Sequence, residues 1–564
     1  MHILLLSLLS ATWRGAALAT TAALLLCPPT HAQTVLPWTH ATAIGGNQLR
    51  ESIAVDAAGN CYVTGSFLDT AQVGDTTLTS VGGIDAYVAR YGPTGQRHWV
   101  RHLGSPGTDS GYAVALDAAG NCYVTGYFQG TIELGNGLRL TSTSFAAKAY
   151  VVRYSPAGTA QWAQHSDDTS GSSSVTGTSL ALDAAGSVVV AGAVNGVARF
   201  GTLQANAPVD SDNGAAVYLA RFAAATGAIQ SVARAFYYAA PHGPIVYQYN
   251  APQLAVASTG QVYIGTYTNG QPVFDGPSPI RPVGRGSTDG LLACYSAAGT
   301  LQWVQQLGGP QLDRLSQVQT DAAGNAYVTG DFSGAATFGA TTLVSVGSNT
   351  AYLAKYSPLG TLEWVRPGSG TTSAWSGPRF DAAGNVYTVG SFSGTASYGA
   401  FPLSSAGATD VVVASYTPQG QVRWAQSAGG SGVESGYGLG LDAQGSVYVY
   451  GRIRGTAAFG ALRLSAAASG ENFLARLGTA PLAAHALHLR ALNFYPNPAT
   501  ERVTLPALAV GTRVRLLDAL GRVVREAAVS SGAEVSVRGL VPGLYTLRAT
   551  DAQGRQVAGR VVVE

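Results

Sequence analysis

A chain of 564 residues is too long for one ordinary hydrophobic core, so two or more domains are expected. Glycine is abundant at 72 residues while charged residues make up only 11%, which suits tight turns and short apolar strands and excludes a protein of charged amphipathic helices. The formal net charge of +2, with no basic block anywhere, argues against a large phosphate-binding surface and against nucleic acid as a partner.

The N-terminus reads as a targeting segment. Two apolar runs, Ile3 to Leu9 and Ala16 to Leu26, flank Arg14, and the small residues of Thr30-His31-Ala32 follow. The second run is too short to span a bilayer, so residues 1–32 are expected to be a signal peptide, cleaved between Ala32 and Gln33. No later stretch is long and apolar enough to cross a membrane, so no integral span is expected after cleavage. Of the four cysteines, Cys61, Cys122 and Cys294 lie beyond that segment. Cys61 and Cys122 align with Val188, Val262, Ala326, Val386 and Val447 in other repeats, which predicts small core residues and neither disulfides nor metal ligands.

Internal periodicity predicts the architecture. The string Asp-Ala-Ala-Gly-Asn-Cys-Tyr-Val-Thr-Gly begins at Asp56 and recurs at Asp117, with weaker copies at Asp183, Asp321, Asp381 and Asp442 and a degenerate one at Ala257. Each copy is followed by a third apolar strand, such as Tyr87-Val88-Ala89-Arg90-Tyr91, and all but the Asp442 copy then by a fourth, which in five copies carries a tryptophan such as Trp99; the Ala257 copy is joined by Leu291 to Trp303. Asp-Ala-Ala-Gly-Asn fits a type I turn capped by the aspartate, and Ser-Pro-x-Gly does the same between the third and fourth strands. Four antiparallel strands per unit, seven times over, predict an all-β fold with a seven-bladed β-propeller.

The last unit stops at Phe473-Leu474-Ala475-Arg476-Leu477 and lacks a fourth strand, while an orphan Val35-Leu36-Pro37-Trp38 precedes the first. The run from Trp38 to Asp56 matches that from Trp99 to Asp117, so the N-terminal strand is expected to close the ring. The expected domains are the propeller over 33–478, a linker over 479–491 rich in Ala, Leu and His, and a C-terminal domain over 492–564 whose alternating strands fit a half-buried sheet.

The Asp-x-x-Gly-Asn-x-Tyr-Val-Thr-Gly string resembles the bacterial seven-bladed β-propeller, or SBBP, repeat family, a resemblance that implies a fold and no shared reaction. The C-terminal domain resembles the type A sorting domain of type IX secretion substrates in the Bacteroidetes: Tyr495-Pro496-Asn497-Pro498, the Asp518-Ala519-Leu520-Gly521-Arg522 turn and Pro542-Gly543-Leu544-Tyr545 appear in order. That resemblance implies a small immunoglobulin-like β-sandwich, the type IX secretion machinery as partner, and a protein secreted or held at the outer-membrane surface. The terminus here is Val-Val-Val-Glu, where many relatives end in a basic residue.

No nucleophile motif, glycine-rich phosphate loop or paired-histidine metal spacing stands out, so no catalytic residue, metal or cofactor is expected. His98 and His102 sit four apart on a strand and its end, which is not a chelating spacing there. Asp85, Asp289, Asp410 and Glu471 align before the third strand, and Arg90, Arg153, Arg221, Lys355 and Arg476 align within it; such a ladder reads as structural. The longer links, Phe67 to Asp85, Val194 to Ala216 and Tyr267 to Asp289, gather on one face and are expected to bind. The stretch from Phe236 to Tyr249 offers Tyr237, Tyr238, His242, Tyr247 and Tyr249 as a candidate binding loop, with packing beneath a divergent blade as the competing role. The leading expectation is a monomeric, non-enzymatic propeller binding an extracellular protein or glycan; an extracellular hydrolase or lyase and a structural adhesin are the alternatives.

Overall fold

In a computed structural model the chain is described over residues 36–564 apart from 46–47, 143, 168–172, 208–214, 239–250, 276–278, 373–374, 468, 479–489, 492–493, 507, 519–522 and 551–555. The expected cleavage site at Ala32 and Gln33, and His242, Tyr247 and Tyr249, lie outside the described residues. Among those described, every regular element is a β-strand.

Seven antiparallel sheets repeat one plan of four strands, hydrogen-bonded in chain order in all but the last. Sheet 1 holds Gln48–Val55, Cys61–Val73, Thr76–Tyr91 and Arg97–Leu103. The first strands of sheets 2 to 7 are Ser110–Leu116, Ser174–Leu182, Gln253–Val256, Asp313–Thr320, Ser376–Phe380 and Ser435–Leu441. Each first strand packs against those of both neighbouring sheets, and that of sheet 7 against that of sheet 1, so the seven form a closed cycle. Sheet 7 is completed by Trp38–Gly45, which pairs antiparallel with Glu471–Leu477 from Trp38 opposite Leu477 to Gly45 opposite Asn472. Cys61, Cys122 and Cys294 are free and buried in these sheets, as small apolar residues would be.

The repeat motif has two mechanical parts. In the first, the turn aspartate saturates itself locally. Asp56 Oδ1 accepts from the backbone N–H groups of Ala58 at 3.0 Å and Asn60 at 2.8 Å, while Oδ2 accepts from Asn60 Nδ2 at 2.7 Å. Asp117, Asp321 and Asp381 repeat this arrangement, so these carboxylates are turn caps.

The second part is a latch between sheets. The Trp99 indole N–H donates to the Pro156 carbonyl in the next sheet at 3.0 Å, and Trp162 to Ala224, Trp303 to Pro358 and Trp364 to Pro418 repeat the contact. The turn glycine of that next sheet lies flat on the same indole. A Cβ added to Gly158, Gly227, Gly360 or Gly420 would stand 2.6–2.9 Å from ring carbons of Trp99, Trp162, Trp303 or Trp364. These glycines also have positive φ, so two independent demands exclude a side chain. Gly227→Ala is therefore expected to cost at least twice as much stability as Gly186→Ala. Gly186 has a similar left-handed φ, +79° against +73° for Gly227, but nothing within 4 Å, so its alanine pays only backbone strain of about 1 kcal/mol. Urea melts of the two variants compare them, and equal losses would show that the indole contact does not matter.

In the C-terminal part, Arg490–Ala491, Gln556–Val563, Gly543–Thr550, Arg513–Leu517 and Val523–Ala528 form a five-stranded sheet. This sheet reaches back into the expected linker. Arg502–Thr504 pairs with Glu534–Ser536, and Val503 and Val535 share a core with Val514, Leu516, Leu547 and Val561. The motif asparagine ties the domain's start to its last strand: Asn497 Oδ1 accepts from Val562 N at 2.8 Å and Asn497 Nδ2 donates to Arg560 O at 3.0 Å.

Candidate functional site

The first strand of each sheet runs where seven strands converge, and its pairing with the second strand is irregular in six of the seven sheets. The register slips between Leu49 and Ser52, Gly111 and Ala113, Gly177 and Ser179, Leu315 and Gln317, Ser376 and Arg379, and Gly436 and Gly438. A bulge removes the extra residue from the ladder and re-aims its side chain. Tyr112, Thr178 and Tyr437 are such extra residues, and all three line a cavity at the middle of the cycle.

The cavity has a free volume of about 130 Å³ and takes lining residues from the first strands of all seven sheets. Its polar groups are hydroxyls and amides: Ser52, Thr178, Ser179, Gln253, Gln317, Gln319 and Ser376. Several of these stitch neighbouring first strands where no ladder joins them. Thr178 Oγ1 donates to Pro252 O at 3.0 Å, Leu254 N donates to Ser179 Oγ at 3.0 Å, and Ser376 Oγ donates to Tyr437 O.

Arg379 is the one charged side chain among the described lining residues. It stands two positions before the capping aspartate of its sheet, where the other sheets have Ala54, Ala115, Ala181, Ala255, Gln319 and Gly440. Its recorded hydrogen bond runs from Nη1 to the carbonyl of the adjacent Pro378 at 3.1 Å. Burial pushes its guanidinium down to about 10, and no carboxylate among the described residues offsets that cost. The sequence reading missed this site. Its signal was a long cation at a position otherwise held by small residues and one glutamine.

The links of the expected binding face contain regular strands. The long links are largely β-hairpins, among them Val197–Phe200 with Leu203–Asn206, Ala335–Phe338 with Thr341–Val344, and Thr456–Phe459 with Leu462–Ser465. Phe200, Phe338 and Phe459 in them are buried, while Leu203 and Val344 are exposed. They cover the outer edge of the preceding sheet: Phe338 pairs with Leu307, and Ala458 with Gly429. Tyr237 and Tyr238 likewise end the strand Ile229–Tyr238 and pair with Val273 and Pro272. Tyr238 is buried, its phenol pushed up to about 12 by burial, and the Arg234 guanidinium stacks on the Tyr237 ring at 4.6 Å. Tyr237 and Tyr238 thus stand in a paired strand, while the rest of the candidate loop lies outside the described residues.

The aligned charges are structural, in a form the spacing did not foretell. Arg90, Arg153, Lys355 and Arg476 stack on Tyr62, Tyr123, Tyr327 and Tyr448, and Arg90 reaches the Pro156 carbonyl of the next sheet at 2.9 Å. Asp85, Asp289 and Asp410 are buried and face Asp109, Asp313 and Glu434 of the following sheet. Burial first, and the facing carboxylate in addition, push Asp109 and Asp313 up to about 6 and raise Glu434. His102 does not join His98; its Nε2 lies 2.6 Å from Asp85 Oδ2.

Residues 493–564 match the family described as the secretion system C-terminal sorting domain. The chain is exported by type IX secretion to the cell surface or the extracellular space. Among curated proteins it is similar to an uncharacterized WD repeat-containing protein of Acanthamoeba polyphaga mimivirus, 31% identical over 129 residues, which are 20% of this chain and 9% of that one. Among solved structures, a protein of unknown function from Dyadobacter fermentans aligns over 79% of this chain and 98% of its own at a TM-score of 0.35 and 8% identity. A GH43 protein, BlXynB, from Bacillus licheniformis covers 78% and 99% at a TM-score of 0.27 and 11% identity. A second GH43 protein, an exotype rhamnogalacturonan lyase and a leech trans-sialidase align as well. This corrects the expectation that the chain is no enzyme: two GH43 proteins, a lyase and a trans-sialidase align along most of it, and an enzymatic role is not excluded.

Proposed function

We propose that residues 33–478 form one seven-bladed β-propeller of the SBBP repeat type, that residues 1–32 are its signal peptide, and that residues 492–564 are an immunoglobulin-like sorting domain. In this reading the exported propeller binds an extracellular glycan through its axis. The observation that carries it is the central cavity, whose hydroxyls and amides converge from five first strands, with Tyr112 and Tyr437 from the other two beside them. Hydroxyl and amide groups exchange hydrogen bonds with sugar hydroxyls, and tyrosine rings offer a flat apolar face with a polar tip.

A glycan array probed with the exported chain tests this, followed by calorimetry on the best ligand. Gln317→Ala and Tyr112→Ala are expected to weaken binding about tenfold each while leaving the melting temperature within a few degrees, since each removes one or two direct contacts. Binding unchanged in both variants would move the site elsewhere. Release of new chain ends from a bound glycan in the same samples would assign the hydrolase or lyase reading instead.

A further inference from the structure

From the lone guanidinium at the axis we infer that the glycan bound there is acidic, and that Arg379 holds the carboxylate of its terminal sugar. The inference rests on the proposed axial glycan site and adds the ligand's charge class to it.

Three features support it. A guanidinium has five N–H donors in a rigid fork, and the hydrogen bond recorded for Arg379 occupies one, on the carbonyl of the residue before it. The described cavity lining holds no carboxylate that could pair with it, so a desolvated positive charge faces the cavity without an intramolecular counter-ion. A planar carboxylate fits the fork through two parallel hydrogen bonds, which a neutral hydroxyl cannot match. The surroundings are suited to the remainder of a sugar: Gln319 is the other long side chain at the same position of the neighbouring sheet, and Gln317, Ser376 and Thr178 line the same cavity. In other sheets the same position holds the small residues Ala54, Ala115, Ala181 and Gly440. Gly377 matters too. A Cβ there would stand 2.9 Å from Arg379 Nη1, so the glycine leaves the guanidinium its place.

Calorimetry with the full exported chain tests the inference, using oligosaccharides that end in a hexuronate and matched ones that end in the neutral hexose. The hexuronate is expected to bind at least about tenfold more tightly. Arg379→Gln is expected to abolish that preference, leaving affinity for the neutral ligand within about twofold and the melting temperature unchanged. Gly377→Ala is expected to reduce the preference in part by displacing the guanidinium. Equal affinity for both ligands overturns the inference and leaves the axial glycan site standing. Binding of neither overturns both. Tighter binding of a peptide through its terminal carboxylate would make the ligand a protein end and overturn the acidic glycan. A folding loss in Arg379→Gln that Arg379→Lys repairs without restoring acid preference would make Arg379 a structural residue and also overturn it.

Discussion

Deleting residues 33–45 lowers the melting temperature by more than about 10 °C or leaves the chain aggregated. The deletion removes the fourth strand of sheet 7, and with it the outer partner of Asn472 to Leu477. Trp38 and Ile44 are buried, and Trp38 meets the Phe459 ring edge-on at 5.2 Å. Burying two such side chains contributes roughly 5 kcal/mol, which is comparable with the net stability of many domains. The remaining sheet would present an unpaired, apolar edge, the usual start of edge-to-edge association. Calorimetry of the truncated chain, with and without a peptide of residues 36–45 added in trans, provides the measurement. An unchanged melt would show that the closing strand is dispensable.

The melting temperature rises as pH falls from about 7.5 to about 5. Asp109 and Asp313 sit at about 6 in the folded chain, above the usual carboxylate value of about 4 that each regains on unfolding. Between those values the folded state binds more protons than the unfolded one, so stability is greatest below about 4 for these groups and falls as pH climbs through 6. A rise from about 4 to about 6 corresponds to up to about 3 kcal/mol for each of the two carboxyls. Other carboxylates act oppositely at lower pH: hydrogen bonds within the turn hold Asp117 and Asp381 below their usual value, and their stabilisation is lost on further acidification. Melts across pH 3–8 should therefore peak in mildly acidic buffer. Asp289→Asn removes the charge facing Asp313 while keeping an acceptor for Arg285 N, so it should raise the neutral-pH melt and narrow its gap to the acidic one. A profile flat from pH 5 to 7.5 would contradict the buried pairs.

The repeat was legible because each of its letters has a mechanical job. Turn aspartates, turn glycines and tryptophans recur since every junction between sheets needs the same cap and latch. The closing strand was legible for a related reason: Trp38 to Ile44 repeats the fourth strand of the first unit. The hairpins in the long links escaped notice because their strands are only four or so residues long. A signal was nevertheless present, an aromatic residue before a turn glycine at Phe200-Gly201, Phe338-Gly339, Tyr398-Gly399 and Phe459-Gly460. The axial site was least legible. Bulges leave no turn residue behind, and Arg379 stands out only once the seven first strands are aligned on their capping residues.

Closure by the first strand also sets an order of events in time. Thr39 hydrogen-bonds to a carbonyl 437 residues away, at Arg476. The earliest strand of the ring to be made is thus the last to find its partner, and until residue 477 is available both ends of the growing array stay open. Long-range pairings of this kind are slow to form because loop closure must come first. The ring can close only shortly before the sorting domain at 493–564 is itself complete. The last strand pairing of the ring and the sorting domain therefore draw on neighbouring stretches of the chain.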